Sequence, residues 1–436
     1  MSATASPGSA SAERVQEVAR LPTLLLTLTG PDRPGVTTSL FGALRADGAD
    51  PLVVLDIEQV VVRGRLVLGV LLSAGAAPTD EDSMRDAQHR LSAAETTAAA
   101  VAEALGMHLE TSTEWGDPAA LRRGLVVVTV LGQPLTPATV AGMTAEIADA
   151  GANIDRITRL AAYPVTAIRM HLSGADARVL RPTLASAASR LGVDVAVEAS
   201  GLHQRATRLV VMDVDSTLVQ GEVIEMLATH AGVLPQVAQV TEAAMRGELD
   251  FAESLRARVS LLAGLPESAL EQVREAVVLT PGARTLVRTL KRLDYKVAIV
   301  SGGFTQITDG LVAELALDFS LANTLEVVDG RLTGRVVGPV VDRAGKAEAL
   351  RTFAAQAGIP LSQTVAIGDG ANDLDMIAAA GLGIAFNAKP VVRAAADTAV
   401  SVPYLDSVLY LLGVSREDVE AADESDGTPT PAPPLS

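Results

Sequence analysis

Cysteine is absent from the 436 residues. Disulfides, zinc–thiolate centres and thiol nucleophiles are excluded together, and the usage fits a reducing cytoplasm. Lysine is nearly absent: Lys291, Lys296, Lys346 and Lys389 are the only four among 35 basic residues. The five histidines (His89, His108, His171, His203, His230) show no metal-ligand spacing. Apolar runs such as Leu21–Leu28 and Leu125–Leu131 fall far short of the roughly 20 residues that span a bilayer. The first residues, MSATASPGSASAER, lack the apolar stretch of a signal peptide. The 35 basic residues face 52 acidic ones, a net charge of −17. Such a surface repels phosphate backbones and anionic lipid, which argues against nucleic-acid and membrane partners. A small anionic substrate stays compatible with it, because one local site can still be positive.

Enough remains to build several cores. Hydrophobic residues make up 48% and charged residues 20% of the chain. Its length suggests about two to four domains. Both ends read as unstructured: residues 1–20 are rich in Ser, Ala and Gly, and residues 416–436 are acidic and then Pro-rich.

Between them lies an internal repeat. The strand-like run Leu24–Gly30 is echoed by Leu125–Gly132, 102 positions later. Each is followed by a helical segment and a similar turn, RADGAD and ADAGAN, then by two alternating runs, a helix and a short last strand. Two βαββαβ (ferredoxin-like) units, residues 21–115 and 122–200, account for this most simply. In such a unit the helices cover one face of a four-stranded antiparallel sheet, and the other face is free to pair with a neighbour.

The rhythm then changes over residues 205–415. Leu209–Val214, Val297–Ser301 and Thr364–Gly368 are β-branched apolar runs separated by long helical patterns. Strands buried on both faces read this way, so an α/β fold with a parallel sheet is expected. Ligands bind beyond the carboxyl ends of such strands, and the informative polar residues fall there.

Four segments carry chemistry. MDVDST places Asp213 and Asp215 past a strand, suited to a magnesium site, to a nucleophile–acid pair, or to a solvated turn. In VSGGF, Ser301, Gly302 and Gly303 fit an anion cradle or a plain strand-to-helix turn. Lys346 opens the helical run RAGKAEAL, either as a compact point charge or as a solvated residue. In GDGANDLD, Asp369, Asn372 and Asp373 exceed what helix capping needs and resemble an oxygen cradle for a hard divalent cation.

Taken together and in this order, the four segments resemble the haloacid dehalogenase superfamily of phosphotransferases, and within it the phosphoserine phosphatases. The resemblance implies a Rossmann-like core with a helical cap at about 219–280. It implies Asp213 as the nucleophile that forms an aspartyl-phosphate, and Asp215 as the acid and then base. Ser301, Gly302, Lys346 and Asn372 would hold the phosphoryl group. Mg2+ would be bound by Asp213, Asp215 (through its carbonyl) and Asp369, with Asp373 and Thr217 in support.

Within the cap, Glu222 lies nine residues after Asp213 and would grip the substrate ammonium. Arg258 would grip the carboxylate, and Met245 and Phe251 would close the pocket. The expected reaction is hydrolysis of O-phospho-L-serine, the last step of L-serine biosynthesis. Phosphothreonine, phosphohomoserine or phosphoproteins are alternative substrates for the same chemistry. A third possibility is an amino-acid-sensing protein with a dead phosphatase half, against which the intact Asp213, Asp215, Lys346 and Asp369 stand.

The repeated unit resembles the ACT domain. GPDRPG in the first copy supplies Gly30, Asp32 and Gly35, with Asp50 beside them, for an amino-acid effector, expected to be L-serine. GQPLTP in the second copy departs from that pattern. ACT sheets usually pair, so a homodimer or a higher homo-oligomer is expected.

Overall fold

A computed structural model describes residues 21–45, 52–75, 77–116, 125–201, 206, 208–246 and 248–431. The expected amino-terminal tail and Asp50 lie outside these residues. Two compact units divide near Arg122.

The first unit is one βαββαβ domain. Its strands β1 (Pro22–Pro31), β2 (Val53–Val62), β3 (Arg65–Ser73) and β4 (His108–Trp115) pair in the order β2-β3-β1-β4. Helices α1 (Val36–Leu44) and α2 (Glu81–Ala104) cover one face. Leu24, Leu26 and Leu28 on β1 point inward at strand spacing to meet Leu40, Leu91 and Ala98. The opposite face shows apolar residues to solvent, among them Leu25, Val60, Val62 and Val67.

The second unit opens with the repeat of this domain. Strands β5 (Val126–Gly132), β6 (Asn153–Ala161), β7 (Thr166–Ser173) and β8 (Asp194–Ala199) keep the same order, β6-β7-β5-β8. Helices α3 (Pro137–Asp149) and α4 (Ala177–Leu191) pack on one side. The sequence leaves the other face of each sheet free for a neighbour. In this copy the neighbour belongs to the same chain, because Leu131, Ala161, Ala167 and Ala196 join the core of the larger α/β body that follows. Polar ties lock the junction. Asp194 accepts from Ser401 N at 2.6 Å and Ser401 Oγ at 2.9 Å, and Thr398 Oγ1 donates to Val195 O at 2.7 Å.

The larger body is a seven-stranded sheet in the order β12-β11-β10-β9-β13-β14-β15. The strands are β9 (Leu209–Met212), β10 (Lys296–Phe304), β11 (Phe319–Val328), β12 (Arg331–Val337), β13 (Thr364–Gly368), β14 (Leu382–Phe386) and β15 (Thr398–Val400). It is parallel except at one edge, where β12 returns antiparallel on β11. That hairpin departs from the purely parallel sheet the sequence suggests. It has a local cause: Asp329 and Gly330, at φ 50° and 70°, make the tight reversal.

Four helices form the cap: α5 (Val223–Ala231), α6 (Leu234–Met245), α7 (Phe251–Ser260) and α8 (Ser268–Ala276). Two chain crossings join cap to core, pinned side by side by the Val219–Leu279 bridge and by Thr280 Oγ1 donating to Thr217 O at 2.7 Å. The core helices are α9 (Ala283–Arg292), α10 (Thr305–Leu315), α11 (Arg343–Ala357), α12 (Leu374–Ala379), α13 (Pro390–Ala395) and α14 (Val408–Leu411).

The expected disordered tail is corrected over part of its length: Arg416–Ser425 forms α15. Its apolar content is low: Val419 packs into the core, and ion pairing adds to that hold. Asp423, 1% exposed, accepts from Arg288 Nε at 2.9 Å and from Arg292 at 2.6 Å. These two guanidiniums hold its carboxyl well below the usual carboxylate range against the opposing effect of burial.

Candidate active site

Parallel pairing brings the chemistry to one edge of the sheet. β9 pairs in register with β10 on one side and β13 on the other, Met212 lying opposite both Ile299 and Ile367. The next residues of the three strands are therefore neighbours, and Asp213 N donates to Ile367 O at 2.9 Å. Asp213 follows β9, Ser301 lies near the end of β10, and Asp369 follows β13.

Lys346 completes the centre. Asp342 caps α11 by accepting from Gly345 N at 2.8 Å, which sets Lys346 in the first turn. Its ammonium is fully buried and lies 2.7 Å from both Asp213 Oδ1 and Asp373 Oδ1. Burial works against its charge, but the two carboxylates more than offset it and raise its pKa. Asp213 itself is pushed well above the ordinary carboxyl value, first by burial and then by the charge of Asp373. Lys346 and Val214 N, each at 2.7 Å, both bind its Oδ1.

Asp373 has a different environment. Its Oδ1 meets Lys346 and its Oδ2 accepts from Gly370 N at 2.9 Å. Gly368 makes room for it, since a Cβ there would stand 2.4 Å from the Asp373 carboxyl carbon. Asp373 therefore orients Lys346.

Asp215 sits on a tight turn in which Ser216 takes φ 57°. Its Oδ1 accepts from Val223 N, at the start of cap helix α5, at 2.8 Å. Its Oδ2 accepts only a long 3.4 Å bond from Ser301 Oγ. Burial raises its pKa, so it holds a proton more readily than a free aspartate. Ser301 Oγ in turn accepts from Gly303 N at 2.8 Å. Thr217 donates to Asp369 Oδ1 at 3.1 Å, and loss of hydration pushes Asp369 up to about 6.

A cavity of about 340 Å³ opens over these groups. The core supplies Asp213, Asp215, Gly302, Asp369 and Asn372, while the cap supplies Glu222, Phe251 and Arg258. Helix α7 begins in a capping box, with Glu253 N bonded to Asp250 Oδ1 at 2.7 Å and Asp250 N to Glu253 Oε2 at 3.1 Å. From that start Phe251, Leu255 and Arg258 recur at helical spacing on one face and point into the cavity. Gly302 lets Phe251 approach, because a Cβ there would stand 3.1 Å from the ring.

Glu222 is open to solvent through the cavity and walled by protein behind. Lost hydration, then the charges of Asp215 and Asp369, push it to about 7, with Arg258 opposing. Met245 ends α6, and its side chain lies outside the described residues.

The lining also includes residues not singled out by the sequence reading, among them Ile224, Leu255 and Lys389. Lys389 directly precedes α13, beyond the end of β14. The strand-end rule that picks out Ser301 and Asp369 would have found it. The expected effector residues lie in the first unit. There Asp32 and Gly35 are exposed, whereas Gly30 is buried against Met107.

The carboxylate oxygens of Asp213, Asp369 and Asp373 lie within 4.8 Å of one another. Three oxygen donors this close suit a hard divalent cation. A parallel α/β core with this carboxylate–lysine centre under a helical cap defines a haloacid dehalogenase-like hydrolase, and the model of that family matches residues 210–378. ACT-domain models match residues 22–121 and 124–198.

The chain is 60% identical to the phosphoserine phosphatase of Streptomyces coelicolor, over 92% of this chain and 95% of that protein. It is 52% identical to the phosphoserine phosphatase SerB2 of Mycobacterium tuberculosis, over 92% and 96%. A solved structure of a probable phosphoserine phosphatase from Vibrio cholerae, unliganded, is 40% identical, covering 70% of this chain and 89% of that one at a TM-score of 0.55. The chain belongs to the phosphoserine phosphatase family. Among the described residues no helix is long and apolar enough to cross a membrane.

Proposed function

We propose that the protein hydrolyses O-phospho-L-serine to L-serine and phosphate through a covalent aspartyl-phosphate on Asp213, as the last step of L-serine synthesis. The observation that carries this is the Asp213 carboxylate, held 2.7 Å from a fully buried Lys346 at the floor of a cavity whose other wall holds Glu222 and Arg258.

In this reading Asp213 Oδ2 attacks phosphorus, and the bond to the serine oxygen breaks. Asp215, whose raised pKa lets it carry a proton, delivers that proton through Oδ2 to the leaving oxygen. It then takes a proton from the water that attacks the aspartyl-phosphate. Ser301 Oγ, Lys346 and Asn372 hold the phosphoryl oxygens in place. Bound by Asp213, Asp369 and the Asp215 carbonyl, a divalent cation, Mg2+, would neutralise charge on those oxygens.

Glu222 accepts from the substrate ammonium, which draws its pKa back down, and Arg258 pairs with the carboxylate. Phe251 closes the pocket around the methylene. The test is phosphate release from phosphoserine with Mg2+, its loss with EDTA, and slower release from phosphothreonine, phosphohomoserine and phosphopeptides.

Arg258→Ala is expected to lower kcat/KM for phosphoserine roughly 10- to 100-fold, the worth of about 1.5–3 kcal/mol for a charged hydrogen bond. Turnover of O-phosphoethanolamine, which has no carboxylate, should change less than threefold. Equal losses on the two substrates would remove Arg258 from carboxylate recognition.

The exposed apolar sheet face of the first ACT domain supports assembly into a homodimer, and the amino-acid-binding character of ACT domains supports feedback by L-serine. Gly35 starts α1 at φ 94°, where a β-branched side chain is strained. L-Serine should therefore inhibit the wild type but not an Asp32→Ala, Gly35→Val double variant. Equal inhibition of both would place the regulation elsewhere.

A further inference from the structure

Polar side chains buried in a strand need a reason, and Asn323 on β11 has one. It is 1% exposed and lines no part of the cavity. The β10–β11 ladder runs in register from Ala298↔Phe319 to Val300↔Leu321 and resumes at Phe304↔Asn323. β10 thus advances four residues while β11 advances two, and the surplus is the bulge that carries Ser301, Gly302 and Gly303. A bulge leaves ladder groups unpaired. Here Asn323 Nδ2 donates to Gly302 O at 2.8 Å.

The other end of the same amide reaches a second functional element. Asn323 Oδ1 accepts from Val341 N at 2.8 Å. Val341 immediately precedes Asp342, the cap of α11, and Lys346 N donates to Asp342 O at 2.9 Å. Gly302 O can only accept and Val341 N can only donate, so both contacts demand a side chain with a donor and an acceptor on one rigid plane. A carboxamide meets that demand with two separate atoms; a carboxylate has no donor, an alkyl group has neither, and a hydroxyl has one oxygen for both.

We propose that Asn323 is a positioning residue for phosphoryl transfer: its carboxamide ties the Ser301–Gly303 bulge to the start of α11 and so sets the spacing between the Ser301 hydroxyl and the Lys346 ammonium. The proposal rests on the reading of Ser301 and Lys346 as the groups that hold the phosphoryl oxygens. Their spacing matters most when the phosphoryl group is trigonal and its oxygens carry the most charge. Head-group binding by Glu222 and Arg258 does not pass through Asn323. Its loss therefore falls on kcat rather than on KM.

The experiment compares wild type, Asn323→Ala and Asn323→Val, the last a strand-forming residue with no polar side-chain atom. Folding is checked by far-UV circular dichroism. For each folded variant kcat should fall about 10- to 100-fold, the scale of a misplacement near 1 Å. KM for phosphoserine should stay within threefold. Inhibition by orthovanadate, which takes up the trigonal geometry, should weaken at least tenfold. A folded variant with wild-type kcat, a loss confined to KM, or unchanged vanadate inhibition would overturn the proposal. Failure of the wild type to release phosphate from phosphoserine would instead remove the reading beneath it.

Discussion

Asp213→Asn should release phosphate from phosphoserine at least ~10⁴-fold more slowly than the wild type, on the scale of other nucleophile deletions. The substitution changes almost nothing else. The amide has the same size in a site 3% exposed, and its oxygen still accepts from Lys346 and from Val214 N. It removes one negative charge from a buried cluster in which Asp373 and Asp215 already oppose ionisation of Asp213. The fold is therefore expected to survive, with a melting midpoint at or above that of the wild type. What disappears is the oxygen lone pair that attacks phosphorus in the proposed mechanism. Rapid quench with labelled phosphoserine should trap label on the wild type and none on the variant. Turnover by Asp213→Asn at the wild-type rate, or a wild type that is never labelled under any quench, would sink the covalent mechanism.

Lys346→Met attacks the same centre from its other side and should cost both activity and stability. Methionine matches lysine in length but leaves Asp213 and Asp373 without the cation 2.7 Å from each. Removing one member of a buried ion pair costs about 3–5 kcal/mol. At about 2–4 °C per kcal/mol for a domain of this size, the midpoint should fall by roughly 6–20 °C. The sign of the pH dependence follows from Asp213. Its folded pKa already lies above the unfolded value of about 3.9, and Lys346 is the nearby charge that lowers it. Without Lys346 the folded pKa rises further. The stability deficit should then be smallest below pH ~4 and should grow as pH rises towards neutrality. Turnover should fall about 10²–10³-fold, as when one fixed donor to a reacting oxyanion is deleted. A variant that melts with the wild type at pH 7 and keeps its rate would show that Lys346 is neither a counter-ion nor a phosphoryl ligand.

The site was legible in the sequence where its parts are contiguous. Asp213, Asp215 and Thr217 fall within five residues, and Asp369, Asn372 and Asp373 likewise. Each group follows an apolar run short enough to be one buried strand. Glu222 and Arg258 became readable through these flanking motifs, because by themselves they match the polar face of any helix. Lys346 stood out through rarity alone, and nothing local indicates that its two partners are Asp213 and Asp373.

Asn323 and Asp423 were missed for a related reason. Each is a single polar residue in an unremarkable stretch, and its meaning lies in partners far along the chain: Val341 and Gly302 for one, Arg288 and Arg292 for the other. The tail containing Asp423 has too little apolar surface to signal folding in its sequence, whereas a buried carboxylate between two guanidiniums helps anchor it.

By itself, then, the amino-acid order determined the architecture of each domain and which polar groups stand at the strand ends, since both are written in short local patterns. Tertiary structure decided what those patterns leave open. It placed the second ACT sheet against the catalytic body, joined Lys346 to two carboxylates, and closed Asn323 between a bulge and a helix start. The physical reason is common to all three. Periodicity says which face of an element is apolar or which loop is polar, but not which distant surface it will meet; that choice follows from shape, burial and charge once the chain has closed on itself.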